Sequence, residues 1–325
     1  MVQKNITSDD VAKLAKVSQS AVSRTFTPGA SVSDKTRSKV LAAAKKLSYR
    51  PNAIARTLVT QQSRVIGVVV AHLDNPLYLN VLESLSKRLQ REGFHALLFM
   101  TDAKDADHIL QEILQYQVQG ILMASVTLSS GLAEECADLG IPVMLFNRIV
   151  PGTHASTVSS DNFSGGQRIG RFLLRGGHER IAYIAGQEES STNQDRERGF
   201  LSALNEVKIK CWQREVGNYN FEEAAEATRR LMSASEKPDA IFVASDAMAI
   251  SVIDTLRNEH NMQIPDDISV IGYDNIPQAA WAAYSLTTME QQFTAMIRIA
   301  VQTLLRQIQA GQVTSESFVL PGDLI

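Results

Sequence analysis

Apolar and polar positions follow one pattern up to about residue 60 and another after it. In the first stretch the apolar positions recur at helical spacing. Val11, Leu14 and Ala15 fall at i, i+3, i+4. Thr7 or Ser8 supplies an N-cap, and Asp9 and Asp10 occupy the first turn, where the helix dipole favours anions. A break at Lys16-Val17 separates this helix from a second, Gln19 to Phe26, capped by Ser18. Its inward residues are Ala21, Val22 and Phe26, and its outward face is Gln19, Ser20, Ser23 and Arg24. Pro28-Gly29 marks a turn. Ser33 caps a third helix, Asp34 to about Ser48, with Val40, Ala44 and Leu47 inward and Arg50-Pro51 as its stop. Two short helices joined by a tight turn make a helix-turn-helix. The stretch Asn52–Val59 is helix-compatible but only about two turns long, too short to be stable alone. Its plainer reading is a linker.

From Arg64 the pattern becomes short apolar runs alternating with amphipathic segments. The runs are Val65–Ala71, Ala96–Met100, Gly120–Ala124, Pro142–Phe146, Ile181–Ala185, Ala240–Ala244 and Ser269–Tyr273. Helices are predicted at 77–91, 104–116, 130–138, 162–175, 193–206, 221–233, 246–258 and 291–309. Strand and helix alternate, so the fold class is a small all-α head followed by an α/β core with parallel sheets. A core of this length exceeds one doubly wound domain and divides near residues 160 and 290. The resulting domains are 1–50 (head), 51–63 (hinge and linker), 64–160 with 290–317, and 161–289 with 318–325.

Charge sharpens this division. The 325 residues carry a formal net charge of −3. Residues 1–62 hold 11 Lys and Arg against 3 Asp, a net +8, and the rest of the chain holds 21 against 32, a net −11. A basic head on an acidic body points to a polyanion partner for the head. A solvated helix face is the plainer reading for Lys35, Arg37, Lys39, Lys45 and Lys46 taken singly. No apolar run approaches a membrane span, and the N-terminal residues have no secretory h-region, so the expected location is the cytoplasm. Cys136 and Cys211 suit a reducing compartment and have no second ligand at metal spacing. No cofactor is expected.

The order of motifs in the head resembles one family. Asp10-Val11-Ala12, Val17-Ser18, Ala21-Val22-Ser23-Arg24, Val32-Ser33, Lys35-Thr36-Arg37, Tyr49-Arg50-Pro51-Asn52 and Ala55-Arg56-Thr57-Leu58 resemble the DNA-binding head of the LacI/GalR family of bacterial transcription regulators. The resemblance implies that Gln19, Ser20 and Arg24 read bases in the major groove. It implies that Ser18, Ser23, Thr36 and Arg37 hold phosphates. Asn52, Ile54, Ala55 and Leu58 then belong to a hinge helix that enters the minor groove, with Leu58 as the wedge that kinks the DNA. Lys16 stands where the family often has Gly.

The core resembles the periplasmic-binding-protein-like core of the same family. Leu73-Asp74-Asn75-Pro76, Gly176-Gly177-His178, Arg196-Glu197-Arg198-Gly199-Phe200, Ala244-Ser245-Asp246 and Ile264 through Asp274 carry the likeness. The first is also similar to ribose-binding proteins. Ligands of such folds sit at the carboxyl ends of strands, and the loops there are polar. The candidate effector contacts are Asn75, Tyr78, Asn147, Arg148, Asp161, Arg196, Tyr219, Ser245, Asp274 and Gln291. Asp, Asn, Arg and Gln suit sugar hydroxyls, and Tyr suits a ring face. Asp161 and Asp246 stand open between ligand contact and helix N-cap. Ser245 replaces a frequent Asn and Asn147 a frequent Asp, which leaves the exact sugar open.

These features predict a repressor whose operator affinity is switched by a monosaccharide-like effector. A homodimer would place two heads on a near-palindromic operator. The chain closes on Phe318 to Ile325 without heptads, which argues against a tetramerising coiled coil. An enzyme reading has little support. Gly165-Gly166 with Gly170 lacks the G-x-G-x-x-G spacing, and no P-loop, nucleophile elbow or His-Glu-x-x-His motif occurs. A transport binding protein is opposed by the basic head.

Overall fold

The computed structural model describes residues 6–27, 29–50, 63–71, 75–101, 106–124, 129–150 and 152–325. The chain divides into two compact units, residues 1–63 and 64–325. The segment with Asn52, Ile54, Ala55 and Leu58 lies outside the described residues.

In the first unit the capping residues set three helices. Thr7 and Asp10 form a capping box at α1 (Ser8–Ala15), with Thr7 N–H donating to the Asp10 carboxylate at 2.9 Å. α1 ends at Lys16, which takes the left-handed conformation at φ 54°. Gly reaches that conformation freely, whereas Lys costs on the order of 1 kcal/mol there. Ser18 caps α2 (Gln19–Phe26) and Ser33 caps α3 (Asp34–Lys46). Val11, Ala12, Ala15, Val22, Val40, Ala43 and Ala44 form the core. Leu14, expected inward, is exposed, and Thr25 is buried instead. Its hydroxyl donates to the Ala21 carbonyl at 2.8 Å, which removes the cost of burying it.

The second unit has two parallel sheets. The first joins β1 (Val65–Val70), β2 (His95–Met100), β3 (Gly120–Ala124), β4 (Val143–Phe146), β5 (Ser156–Ser160) and β11 (Ser317–Leu320) in the order β11-β5-β4-β3-β1-β2. The second joins β6 (Ile181–Ala185), β7 (Arg214–Val216), β8 (Ala240–Val243), β9 (Ser269–Asp274) and β10 (Thr287–Glu290) in the order β10-β9-β8-β6-β7. The helices between them are α4 (Pro76–Arg91), α5 (Ala106–Leu114), α6 (Ser130–Asp138), α7 (Asn162–Arg175), α8 (Ser191–Glu206), α9 (Phe221–Met232), α10 (Asp246–His260) and α11 (Phe293–Ala310). β5, β7, β10 and β11 are additional to the apolar runs. β5 reads Ser-Thr-Val-Ser-Ser and is buried throughout, so an apolar-run criterion passes over it.

The chain passes between the sheets after β5, after β10 and after β11. The last passage corrects the expected boundary. β11 pairs β5, so residues 318–320 lie in the first sheet rather than with 161–289. Only the end of the chain returns to the second sheet, where Ile325 and Thr288 exchange backbone hydrogen bonds.

The glycines of α7 and α8 have a packing role. Cβ atoms placed on Gly166 and Gly199 would overlap the carbonyls of Arg196 and Phe163 respectively, and one on Gly170 would crowd Ala203. They let α7 and α8 meet backbone to backbone. Gly131, in α6, has open space around it. Gly199→Ala should therefore destabilise the core by about 1–3 kcal/mol, whereas Gly131→Ala should leave it unchanged or slightly stabler. Thermal unfolding of the two variants checks this.

Candidate functional site

A cleft of about 20 Å³, room for about one water molecule, lies between the two lobes of the core. It is lined by Asn75, Leu77 and Tyr78 at the start of α4, Asn147 and Arg148 after β4, Thr192 and Arg196 of α8, Tyr219 after β7, and Asp274 at the end of β9. Asn147, Tyr219, Asp274 and the neighbouring Asn275 all have positive φ, at 58°, 58°, 126° and 56°. Such strain gathers at ligand sites, where the surroundings hold it in place.

Arg196 is the cleft's anchor and is 2% exposed. Its Nε donates to Asn162 Oδ1 at 2.8 Å and its Nη1 to the Ala244 carbonyl. Its Nη2 lies 3.4 Å from Asp274 Oδ1, and its guanidinium stacks 3.7 Å over the Tyr273 ring. Burial disfavours the cation, but the Asp274 carboxylate together with Tyr219, Tyr273 and Tyr183 more than offsets this and keeps the group charged. Gln291 Nε2 donates to Asp274 at 2.5 Å, and Gln291 Oε1 accepts from Ser160 at 2.9 Å. Among the described residues, two hydrogen bonds cross the cleft between lobes. Arg148 Nη1 donates to Thr192 Oγ1 at 2.9 Å, and the Ile149 N–H donates to Ser191 Oγ at 3.2 Å.

In the head, Ser18, Gln19, Ser20, Ser23 and Arg24 are exposed on one stretch of α2 and its cap, and Thr36 and Arg37 are half-buried on α3. Arg37 Nη1 donates to the Thr25 carbonyl at 3.2 Å, which ties α3 to the end of α2. Arg24 Nε donates to the Ser20 carbonyl at 3.3 Å and its Nη2 to Ser20 Oγ at 3.4 Å.

Comparison with known proteins agrees with this two-part architecture. Residues 7–52 match the model for bacterial regulatory proteins of the lacI family, and residues 171–325 match the periplasmic binding protein-like domain. A transcriptional repressor of Mannheimia succiniciproducens, PurR, is 30% identical, with 97% of this chain and 96% of that protein covered. The chain belongs to the lacI family. The ribose operon repressor of Haemophilus influenzae is 29% identical over 97% of this chain and 95% of its own length. The lac repressor dimer bound to operator and the anti-inducer ONPF superposes with a TM-score of 0.88 at 27% identity, covering 99% of this chain and 98% of that one. This lacI-family chain is accordingly a DNA-binding transcription regulator with a ligand-responsive core.

Of the ten candidate effector contacts, Asn75, Tyr78, Asn147, Arg148, Arg196, Tyr219 and Asp274 line the cleft. The other three lie behind it. Asp161 caps α7, accepting from the Ser164 N–H at 3.0 Å, so its capping alternative is the one realised. Ser245 caps α10 and is fully buried. Gln291 holds Asp274 rather than lining the cavity. Asp246, also open between two readings, is neither cap nor cleft residue. It follows the cap, accepts from Thr288 Oγ1 at 2.6 Å and the Ile276 N–H at 2.9 Å, and lies fully buried. Thr192 is a cleft residue that the sequence reading passed over. Its signal was its spacing, since it precedes Arg196 by four residues and shares its helix face.

Burial pushes the Asp246 carboxyl up to about 7, with the neighbouring Asp274 adding to the rise; burial likewise raises Asp274, to about 6, against the pull of Arg196. An acid whose folded pKa lies above its unfolded value keeps its proton in the folded chain after the unfolded chain has lost it. The stability contribution of Asp246 is therefore greatest near pH 4 and is lost as pH rises to about 7. Asp246→Asn cannot ionise and keeps both contacts with one reversed: its Oδ1 accepts from the Ile276 N–H and its Nδ2 donates to Thr288 Oγ1. It should gain at least about 1 kcal/mol on the parent between pH 5 and pH 8, read from paired thermal melts. A difference that stays flat with pH would contradict the assignment.

Proposed function

We propose that the chain is a sequence-specific repressor whose operator affinity is switched by a small sugar-like effector bound in the Arg196–Asp274 cleft. The observation that carries this is the cleft itself: strained, polar, and bounded by both lobes of a regulator. Opposed donors and acceptors around two aromatic side chains, Tyr78 and Tyr219, are the chemistry a sugar requires. A relative named for the ribose operon favours the same class of ligand.

On this reading Gln19, Ser20 and Arg24 read base edges, with Arg suited to guanine and Gln to adenine. Ser18, Ser23, Thr36 and Arg37 hold phosphates, and Asn52, Ile54, Ala55 and Leu58 act in the minor groove. The functional unit is a homodimer on a near-palindromic operator, as the lac repressor dimer is bound to its own operator. The first lobe offers a suitable face. β2 is the edge of its sheet and exposes Leu98 and Met100 at alternate positions, which point the same way. The role is regulatory rather than enzymatic and is exercised in the cytoplasm.

Effector contact at Asp274 reaches the passages between lobes through Gln291 and Ser160, and the coupling to operator is reciprocal. A thermal-shift screen of sugars on the full chain, followed by operator selection with each hit, tests the reading. A ligand that raises the melting temperature without changing operator affinity would overturn it. Asp274→Asn is expected to lose the response to that ligand while binding operator as the parent does, measured by fluorescence anisotropy with and without ligand. Arg24→Ala is expected to weaken operator binding by about 1–3 kcal/mol and to relax the preference at one base pair. Equal weakening on all sequences would instead mark Arg24 as a phosphate contact.

A further inference from the structure

Asp246 is fully buried at the first position of α10, and capping does not account for it. Ser245 already supplies the cap, its Oγ accepting from the Met248 N–H at 3.4 Å. Both Asp246 oxygens are taken instead by β10 and the loop after β9. Oδ1 accepts from Thr288 Oγ1 at 2.6 Å, and Oδ2 accepts from the Ile276 N–H at 2.9 Å. Thr288 Oγ1 in turn accepts from the Asn275 N–H at 3.3 Å. β9 leaves room for this carboxylate, since a Cβ on Gly272 would overlap Asp246 Oδ1. Thr288 is itself fixed by the backbone hydrogen bonds it exchanges with Ile325.

The residues tied in this way are the two that follow Asp274. Asp274 and Asn275 have φ of 126° and 56°, and such conformations persist only where the surroundings over-determine them. In front, the Asp274 side chain is held by Gln291 at 2.5 Å and Arg196 at 3.4 Å. Behind, the next two backbone N–H groups are held by Thr288 and Asp246. Neither of these lines the cleft. A gain in stability is a poor account of the arrangement. Burying a carboxylate costs free energy unless it is paired, and the neighbouring cation, Arg196, pairs with Asp274 instead.

We infer that Asp246 and Thr288 are positioning residues of the effector cleft, holding Asn275 and Ile276 so that the Asp274 carboxylate stays presented to the ligand. This rests on the reading of the cleft as the effector site.

Two measurements on the full chain test the inference: amide hydrogen exchange read at Asn275 and Ile276, and calorimetric titration with D-ribose. In the parent both amides should exchange about a hundredfold slower, or more, than in an unstructured peptide. Thr288→Val keeps the shape of the side chain and removes both of its bonds. Gly272→Ala presses a methyl against Asp246 Oδ1 and leaves Asp246 and Thr288 in place. Each should speed the two amides about tenfold or more while the amides of β8 keep the parent rate, and should weaken D-ribose binding by a similar factor. Thr288→Ser, which keeps the hydroxyl, should leave both readings at the parent value. A role in stability alone would speed β8 together with residues 275 and 276 and leave the affinity of the folded chain unchanged. That result overturns the inference. So does exchange at the peptide rate in the parent, a measurement that decides even where a variant fails to fold. If D-ribose binds neither parent nor variants, the reading of the cleft as a ribose-type site fails, and the exchange contrast alone decides the positioning role.

Discussion

A guanidinium taken out of water has to find partners in several directions at once, and Arg196 draws them from three elements. Asn162 comes from α7, Ala244 from the end of β8, and Tyr273 and Asp274 from β9, while Arg196 itself stands on α8. Replacing such a buried pair by well-packed apolar residues is often neutral or stabilising, while removing one partner costs about 3–5 kcal/mol. The array is therefore not explained by stability. What it does is fix the ends of β8 and β9 against α8, where the cleft opens. The close approaches around it follow from the same requirement. Cβ atoms on Gly165, Gly166 and Gly272 would collide with the Tyr273 hydroxyl, the Arg196 carbonyl and the Asp246 carboxylate. The glycines that might have signalled a phosphate loop are the space that this polar cluster needs.

The same array extends to the passages between lobes. Gln291 follows β10 where the chain leaves the second sheet, and Ser160 ends β5 where it leaves the first. One amide joins both to Asp274. A ligand that changes the hydrogen bonding of Asp274 thereby acts on two of the three strands that set lobe geometry. On the far side of the cleft, Arg148 and Ile149 of one lobe meet Thr192 and Ser191 of the other. These polar contacts join the lobes beside apolar packing that also spans both, and a ligand that interacts differently with the open and closed lobes can bias the closure.

Most of the architecture was legible because it rests on local signals. Caps at Thr7, Ser18 and Ser33, the apolar runs of seven strands, and helix periods all lie within a few residues of one another. What was not legible depends on distant partners. β5 is polar because its Ser and Thr side chains bond across the lobe, as Ser156 does to the Thr314 carbonyl at 2.9 Å. β11 joins the first sheet although the chain has already visited the second, and nothing in residues 317–320 records that choice. At the site, residue type identified Arg196 and Asp274, but Asp161, Ser245 and Gln291 have the same chemistry and stand one layer back. Acceptors that cap helices and acceptors that meet ligands look alike in a sequence. Only the depth of each behind the cleft separates them.

The head shows the same economy of polar groups. Its candidate base-reading side chains are not idle: Gln19 Nε2 donates to Ser8 Oγ at 2.9 Å, and Arg24 lies along Ser20. Each contact made to a base edge then replaces an existing bond, so the net gain per contact is about 0.5–1.5 kcal/mol rather than the full strength of a hydrogen bond. Affinity must come mainly from elsewhere, and the head's +8 supplies it through release of counterions, a term that is blind to sequence and falls with salt. Sequence discrimination built from such small differences becomes useful only when summed over two heads held at fixed spacing. That makes the spacing of the heads, not the chemistry of any one contact, the quantity a ligand in the core can most effectively control.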